Sequence, residues 1–361
     1  MNILHLVDEP YDSGITQYAL DAAEGLRARG HRVHFGGRKD AYPLREAARR
    51  GLETLALGRL PGCIPCLRRY ILKRGVEIVN AHTGSSHALA VAAARLCSTP
   101  PAVVRTRGDS RPVRRKPGST LLWRRTDGFI AASEKILAEF QAAYSKLGIP
   151  AAAIQQGIED PFPGGAPGEP PVPLRVGIIG RLDPVKGHIH FLRAAAQAAR
   201  RFPGASFAIA GREENVPAKR LAGAAEELGI GRAVEIMGFV PDAFDFMSRC
   251  HVGVIASTGS EAVSRAAVEW MAAGRPLVAT AVGGLPEMVE DGATGFLVPP
   301  ADEAAMAGRM AELLNDEDMR RRMGARARER FSARFTRARL ADETERFYER
   351  ASRSLHLVPS R

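Results

Sequence analysis

Glu261 and Glu269 stand eight positions apart in SEAVSRAAVEWMAAG (260–274), and Arg181 and Lys186 stand five apart in GRLDPVKG (180–187). A guanidinium with forked donors beside a compact ammonium suits a diphosphate. Glu261 follows the apolar run VGVIAS and the loop TGS, so its carboxylate is expected at the carboxyl end of a strand, where it could accept hydrogen bonds from sugar hydroxyls. Glu269 falls inside a helix that starts near Ser264, about 80° around the axis from Glu261 were both helical. Its neighbours AAV and WMAAG are apolar, which predicts partial burial, and a buried carboxylate needs donors. Two vicinal ribose hydroxyls would supply them, as in dinucleotide folds; a structural arginine is the alternative partner. Amides near Ser264 and Arg265, at the start of the same helix, add a place for phosphate. Gly283 and Gly284, after the strand RPLVAT, permit close approach of backbone to a ligand.

Such residues need a scaffold that ends several strands along one edge. The opening supplies a strand (NILHLV), a glycine-containing loop (DEPYDSG), an amphipathic helix (ITQYALDAAEGLRARG) and a second strand (HRVHFGG), which is a βαβ unit. Further strands are predicted at VEIVNAH (76–82), PAVVRTR (101–107) and GFIAAS (128–133), with alanine-rich helical stretches between them. That alternation predicts an α/β fold with a doubly wound parallel sheet. Residues 161–173, PFPGGAPGEPPVP, hold six prolines and three glycines and read as a linker, because proline lacks the amide donor and glycine is costly to order. The alternation then restarts with LRVGIIG, ASFAIAG, AVEIMGF, VGVIAS and RPLVAT as strands. Two Rossmann-like domains, 1–160 and 174–339, are therefore expected to face each other across a cleft.

The whole-chain composition sets limits on partners. At 361 residues, with 45% hydrophobic and 25% charged residues, the sequence is that of a globular two-domain protein. No apolar run approaches the ~20 residues of a membrane span, and MNILHLVDEPYDSG has acidic residues where a signal peptide would be apolar, so a cytoplasmic location is expected. Cys63 and Cys66 form a C-x-x-C pair without a second pair to complete a zinc site, and a structural role is the expectation. Residues 1–160 carry 24 Lys and Arg against 15 Asp and Glu, a net of +9, which leaves +2 of the total +11 for residues 161–361. The clusters RRYILKR (68–74) and RPVRRKPG (111–118) could attract a phosphorylated acceptor or an anionic membrane surface, or simply be a solvated basic face.

In this order and spacing, SGITQYALDAAEGLRARGHRV, GFIAAS, IQQGIED, GRLDPVKG, GFVPD, the E-x7-E pair and GGLPEMVEDGATGFLVPP resemble the retaining, nucleotide-sugar-dependent glycosyltransferase family 4, of the GT-B fold. The likeness extends over nearly the whole chain. It implies a nucleoside diphosphate sugar bound mainly by the second domain, with Arg181 and Lys186 at the diphosphate, Glu269 at the ribose and Glu261 at the donor sugar. GFVPD matches the loop that holds the base, near Val240, and Gly14 matches a glycine lying over the diphosphate. The resemblance further implies retention without a protein nucleophile, the departing phosphate oxygen taking the acceptor proton. Arg181, Lys186 and the helix amides would stabilise the charge of the leaving group. Two cations can take the place of a divalent ion at the diphosphate, so neither cofactor nor metal is expected. The stretch FSARFTRARLADETERFYERAS reads as a helix that, in this fold, crosses back to the first domain over about residues 340–361.

Departures from the family pattern lie on the acceptor side. Glu261-Ala262-Val263-Ser264 stands where Glu-Gly-Phe-Gly is common, and Arg107, in RTRGDS, stands where a histidine is common. Asp109 and His82 are candidates for orienting the acceptor. A saccharide or lipid-linked acceptor of the bacterial cell envelope, such as lipopolysaccharide core, fits the basic first half and a protein peripheral to the inner face of the membrane. A sugar-nucleotide epimerase of the same fold is a rival reading. A nucleic-acid-binding protein is another, but the arginines are not interleaved with a row of aromatics, which make up 6% of the chain.

Overall fold

The computed structural model describes residues 1–58, 62–115, 118–168, 170, 172–259 and 261–356. It divides into two units, Met1–Glu159 with Thr336–Arg361, and Asp160–Phe335. The first unit runs β1 (Asn2–Val7), α1 (Gly14–Ala28), β2 (Arg32–Arg38), α2 (Tyr42–Arg49), β3 (Glu53–Leu57), α3 (Ile64–Arg74), β4 (Ile78–Ala81), α4 (Gly84–Ala94), β5 (Ala102–Arg107), α5 (Ser119–Trp123), β6 (Gly128–Ala131), α6 (Glu134–Tyr144) and β7 (Ala151–Ala153). Its seven strands are parallel, in the order β3-β2-β1-β4-β5-β6-β7. Central strands β1, β4, β5 and β6 are buried on both faces, which is why they read as mainly apolar runs, interrupted by His5, Asn80, Arg105 and Thr106. Edge strand β3 alternates, with Leu55 and Leu57 inward and Thr54 and Ala56 exposed. Helix starts are set by side-chain caps: Ser13 accepts from Thr16 N, Thr83 forms a reciprocal box with Ser86, and Ser133 accepts from Ile136 N.

The second unit runs β8 (Arg175–Ile179), α7 (His188–Arg201), β9 (Ser206–Ala210), α8 (Ala218–Glu227), β10 (Val234–Gly238), α9 (Ala243–Ser248), β11 (Val252–Ile255), α10 (Arg265–Ala272), β12 (Leu277–Thr280), α11 (Leu285–Met288), β13 (Gly295–Val298), α12 (Glu303–Asn315) and α13 (Glu317–Arg334). Its six strands are also parallel, in the order β10-β9-β8-β11-β12-β13. The order reverses between β1 and β4 in the first sheet and between β8 and β11 in the second. Loops leaving the carboxyl ends of those strand pairs are where ligands bind in such sheets.

The proline-rich stretch that reads as a linker is held on the second unit. Arg328 grips both carboxylate oxygens of Asp160 at 2.8 and 2.6 Å and donates to Phe162 O at 2.7 Å, and Arg275 donates to Gly168 O at 2.8 Å. Glu169 and Pro171 of that stretch lie outside the described residues. The single C-terminal helix expected over FSARFTRARLADETERFYERAS is two helices: α13 ends at Arg334, and α14 (Arg337–His356) starts three residues before the expected 340. The break has a packing cause. Phe335 is fully buried in the second unit, and Arg337 N turns to Ile158 O at 2.7 Å in the first. Helix α14 then buries Leu340, Ala341, Phe347, Tyr348 and Ala351, with Asn80 Nδ2 donating to Tyr348 Oη at 2.6 Å. Among the described residues no helix is long and apolar enough to cross a membrane. With α14 counted in the first unit, that unit holds 30 Lys and Arg against 18 Asp and Glu, net +12, and the second 21 against 22, net −1.

Candidate functional site

In the second unit, the chain leaving β8 passes through Gly180 and Arg181 into a short 3-10 turn, Pro184–Lys186. Asp183 caps that turn, accepting from Val185 N at 2.9 Å and from Asn215 Nδ2 at 2.5 Å. The next residue, Gly187, has φ +69°, and a Cβ there would stand 1.9 Å from Ala256 O at the end of β11, so only glycine fits. These contacts bring Lys186 to the β8–β11 switch point, where its Nζ meets Glu261 Oε1 at 2.5 Å. Ser257 Oγ donates to the same oxygen at 2.6 Å, and Thr280 Oγ1 holds Ser257 O at 2.6 Å. The Glu261 side chain is 3% exposed and Lys186 25%, so the carboxylate is buried and its partner opens to solvent. Gly284 N donates to Glu261 O at 2.7 Å, and Gly283 (φ +59°) leaves the space a side chain would take from Glu261. The backbone approach expected of these two glycines is thus made to Glu261 itself.

Arg181 turns to Glu214, at 2.7 Å in a pair that is 44% and 36% exposed, a geometry that contributes little to stability. Helix α10 begins at Arg265, with Ser264 at its N-cap, as the sequence predicts. The Ser264 hydroxyl does not cap the helix; it is buried with no hydrogen-bond partner among the described residues. Glu269, half-buried one turn on, pairs with Arg265 Nε at 2.7 Å, which realises the arginine alternative in this structure. Val240 lies in the loop between β10 and α9, whose start is capped by Asp242. His188, buried at the start of α7 after the Pro184–Lys186 turn, is pushed down to about 4 by burial and then by Lys186. Ser257, Gly187 and His188 were not legible as site residues; the glycine in K-G-H was the available signal.

The first unit carries the remaining candidates. Gly14 is the first residue of α1, next to the cap Ser13. His82 follows β4 at the other switch point, but its ring is turned inward: Nε2 meets Nδ1 of His5 at 2.9 Å, and both rings are buried. Burial drives His82 well below its ordinary pKa, with His5 and Arg105 adding to the effect, and drives His5 to about 3. Arg107 and Asp109 are brought together at 3.0 Å beyond β5, in a cavity of about 340 Å³ that His82 does not line. Asp109 also accepts from Arg111 N at 3.1 Å. Its carboxyl is held below the ordinary range: burial alone would raise it, and the Arg107, Arg111 and Arg105 guanidinium groups outweigh that. The cavity adds Arg105 and His87, which the sequence reading passed over. An arginine inside the apolar strand AVVRTR was the signal for Arg105, since central strands of such a sheet are apolar on both faces; His87, inside the alanine-rich helix GSSHALAVAAA, gave none. Cys63, Cys66, Cys97 and Cys250 are free thiols, with Cys63 at the N-cap of α3 and Cys66 exposed.

Residues 13–159 match Glycosyltransferase Family 4, and residues 165–330 match Glycosyl transferases group 1. The chain belongs to these glycosyltransferase families. It is 38% identical over 168 residues to the D-inositol 3-phosphate glycosyltransferase of Nocardia farcinica, covering 45% of this chain and 36% of that relative. Matches to the first curated relatives span 36% to 44% of their length. Among solved structures, a glycosyltransferase from Rickettsia africae aligns with a TM-score of 0.85 at 17% identity, over 97% of this chain and 98% of that one. Alr3699/HepE of Anabaena, in complex with UDP, aligns with a TM-score of 0.80 at 20% identity, over 97% and 100%. These likenesses show the fold, GT-B, for this glycosyltransferase family member.

Proposed function

We propose that the chain transfers a sugar from a nucleoside diphosphate sugar to an acceptor hydroxyl, with retention at the anomeric carbon. The observation that carries this reading is the Lys186–Glu261 contact at the β8–β11 switch point, beside the uncapped first turn of α10. A diphosphate would take Lys186 as a counterion, with Arg181, the first amides of α10 and the unpartnered Ser264 hydroxyl as further donors. Glu261 would then accept from the donor sugar, Glu269 from the ribose, with the base near Val240 and Gly14 over the diphosphate. As the bond from the anomeric carbon to the phosphate oxygen breaks, both its electrons go to the diphosphate. Cations held in place before the reaction stabilise that charge most, so no metal is needed at this site. The departing oxygen takes the acceptor proton while the acceptor oxygen bonds to the same face of the sugar. Alr3699/HepE, solved with UDP and with UDP-glucose, supports a nucleotide-sugar donor.

For the acceptor, a saccharide or lipid-linked molecule of the cell envelope fits the net +12 of the first unit, with Arg107, Asp109 and His82 on that side. The same charge favours peripheral binding to an anionic leaflet, each basic residue near it adding ~1 kcal/mol. Arg114 and Arg115 are exposed; Lys116 of that cluster lies outside the described residues. Sedimentation with anionic but not neutral vesicles at low salt, reduced on neutralising this cluster, is expected; equal binding to both removes the membrane part alone. The test of the whole reading is a thermal-shift panel of UDP, GDP, ADP, CMP and TDP sugars, in which a ligand at 100 times its Kd stabilises by ~2.7 kcal/mol. Any hit is followed by product analysis of the anomeric configuration. No shift with any sugar nucleotide would overturn the function, and inversion would overturn retention.

A further inference from the structure

Arg105 is buried in the middle of β5, 6% exposed, a position that a doubly wound sheet ordinarily gives to an apolar residue. Its guanidinium donates to two main-chain carbonyls, Ala81 O at 3.1 Å and Thr106 O, and no carboxylate lies within ion-pair distance of it among the described residues. Burial pushes it down to about 9, with Asp109 opposing the shift. A buried charge without a counter-charge is expensive and is found where a ligand or metal completes it. Arg105 lines the cavity already described beyond β5, and there it is joined by Arg107, Arg111 and Arg114 against one carboxylate, Asp109. Glu139, which accepts from Val113 N at 2.9 Å, is not among the lining residues. Arg107 has a second mark of an incomplete site, since its Nε is buried with no hydrogen-bond partner among the described residues. Gly84 places the first turn of the eleven-residue helix α4 on the same wall, and Trp123 and Tyr144 supply an apolar side.

We propose that this cavity binds a phosphate monoester, and, resting on the sugar-transfer reading above, that the group belongs to the acceptor. After Asp109 is matched with Arg107, the guanidinium groups of Arg105, Arg111 and Arg114 remain, three positive charges around one ligand. A phosphate monoester carries about −1.5 to −2 at pH 7, so it offsets most of that surplus where a carboxylate offsets about a third of it. Its three oxygens also suit forked guanidinium donors arriving from different elements. The aromatic wall would then pack against the carbon skeleton that bears the phosphate.

The probe is inorganic phosphate, titrated calorimetrically into the full chain at constant ionic strength. Binding is expected in the wild type and in Lys186→Ala, which removes the cation of the second unit. Arg111→Gln, at a side chain that is 86% exposed and so safe for folding, should weaken it about ten-fold, the scale of one charge-assisted hydrogen bond. Arg105→Gln should abolish it; should that variant not fold, Arg107→Gln and Arg111→Gln decide. No binding, or equal binding by wild type, Arg107→Gln and Arg111→Gln, overturns the proposal, as does loss in Lys186→Ala alone. Glycerol phosphate and vesicles of phosphatidic acid in phosphatidylcholine separate a soluble phosphorylated acceptor from a lipid headgroup: Arg111-dependent binding to either supports the site. A chain stabilised by sugar nucleotides that ignores phosphate loses only this inference. One that binds phosphate through Arg111 but no sugar nucleotide keeps the phosphate site and loses the transfer reading.

Discussion

At the strand ends of the second unit, each cation singled out from the sequence meets a carboxylate: Lys186 meets Glu261, Arg181 meets Glu214 and Arg265 meets Glu269. At the carboxyl end of β5 in the first unit, Arg107 and Arg111 share Asp109, while Arg105 inside that strand has only carbonyl partners among the described residues. One sheet design therefore serves two electrostatic states. A site with internal counterions stands empty at little cost and admits a ligand by exchanging partners. A site with surplus cations is completed only by an anion from outside, so its occupancy should depend more steeply on salt. The net charges of the units, −1 and +12, carry the same contrast to the whole surface.

The strongest way to break this comparison is to remove α14, which belongs to the first unit although it follows the second in sequence. Deleting residues 337–361 exposes the pockets of Leu340, Phe347 and Tyr348, each worth ~1.5–3 kcal/mol of burial, against a typical total stability of about 5–15 kcal/mol. It also removes the Tyr348 partner of Asn80, which in turn accepts from Thr106 Oγ1 at 2.9 Å inside the first sheet. Hydrogen exchange should show β1 and β4 unprotected while β8 and β11 stay protected. Protection of both sheets would show that the first unit folds without its returning helix.

A smaller, site-confined effect is expected from Lys186→Ala, with transfer falling by ~10²–10³ as for loss of one preorganised donor to developing charge. The variant leaves Glu261 buried with Ser257 as its remaining side-chain partner, so its melting temperature should fall as well. Lys186→Met with Glu261→Gln removes both charges and should recover stability without recovering transfer. Recovery of transfer in that double variant would show that the pair is only structural. Below this comes Glu269→Ala, expected to raise KM for the sugar nucleotide about ten-fold through lost hydrogen bonds to the ribose. If the melting temperature drops and KM stays, the pairing with Arg265 is the whole of its role.

The smallest effect sharpens the contrast through pH. In the first unit, burial holds His5 and His87 at about 3 and His82 well below 6.5; in the second, His188 is at about 4. Each folded-state value lies below the unfolded 6.5, so these sites contribute their stability above pH 6.5 and lose it as the unfolded chain takes up protons on acidification toward pH 3–4. At pH 5.5 the loss is about 1.4 kcal/mol per buried histidine. Exchange protection in β1 and β4 should therefore drop more between pH 7 and 5.5 than in β8 and β11, after correction for intrinsic rates. Equal drops would deny the asymmetry.

By itself the sequence determined most strands that are buried on both faces, because a central parallel strand is largely apolar: NILHLV, VGIIG and VGVIAS stand where such strands stand, as does AVVRTR despite its arginines. It determined as well the start of α10 near Ser264 and the placing of Lys186 and Glu261 at strand ends, since they follow apolar runs in the loops. Strands β3, β7 and β13 escaped it. ETLAL is an edge that alternates, and AAA has weak strand preference, so neither gives a two-sided apolar signal. Only the tertiary structure decided which charges pair. Lys186 and Glu261 are 75 positions apart and meet because β8 and β11 are neighbours in the sheet, a pairing set by packing of the whole unit. It decided too that Arg105, among the described residues, has carbonyls but no carboxylate for company. Local residue preferences fix what a segment can become; what it touches depends on the energy of all the segments packed together.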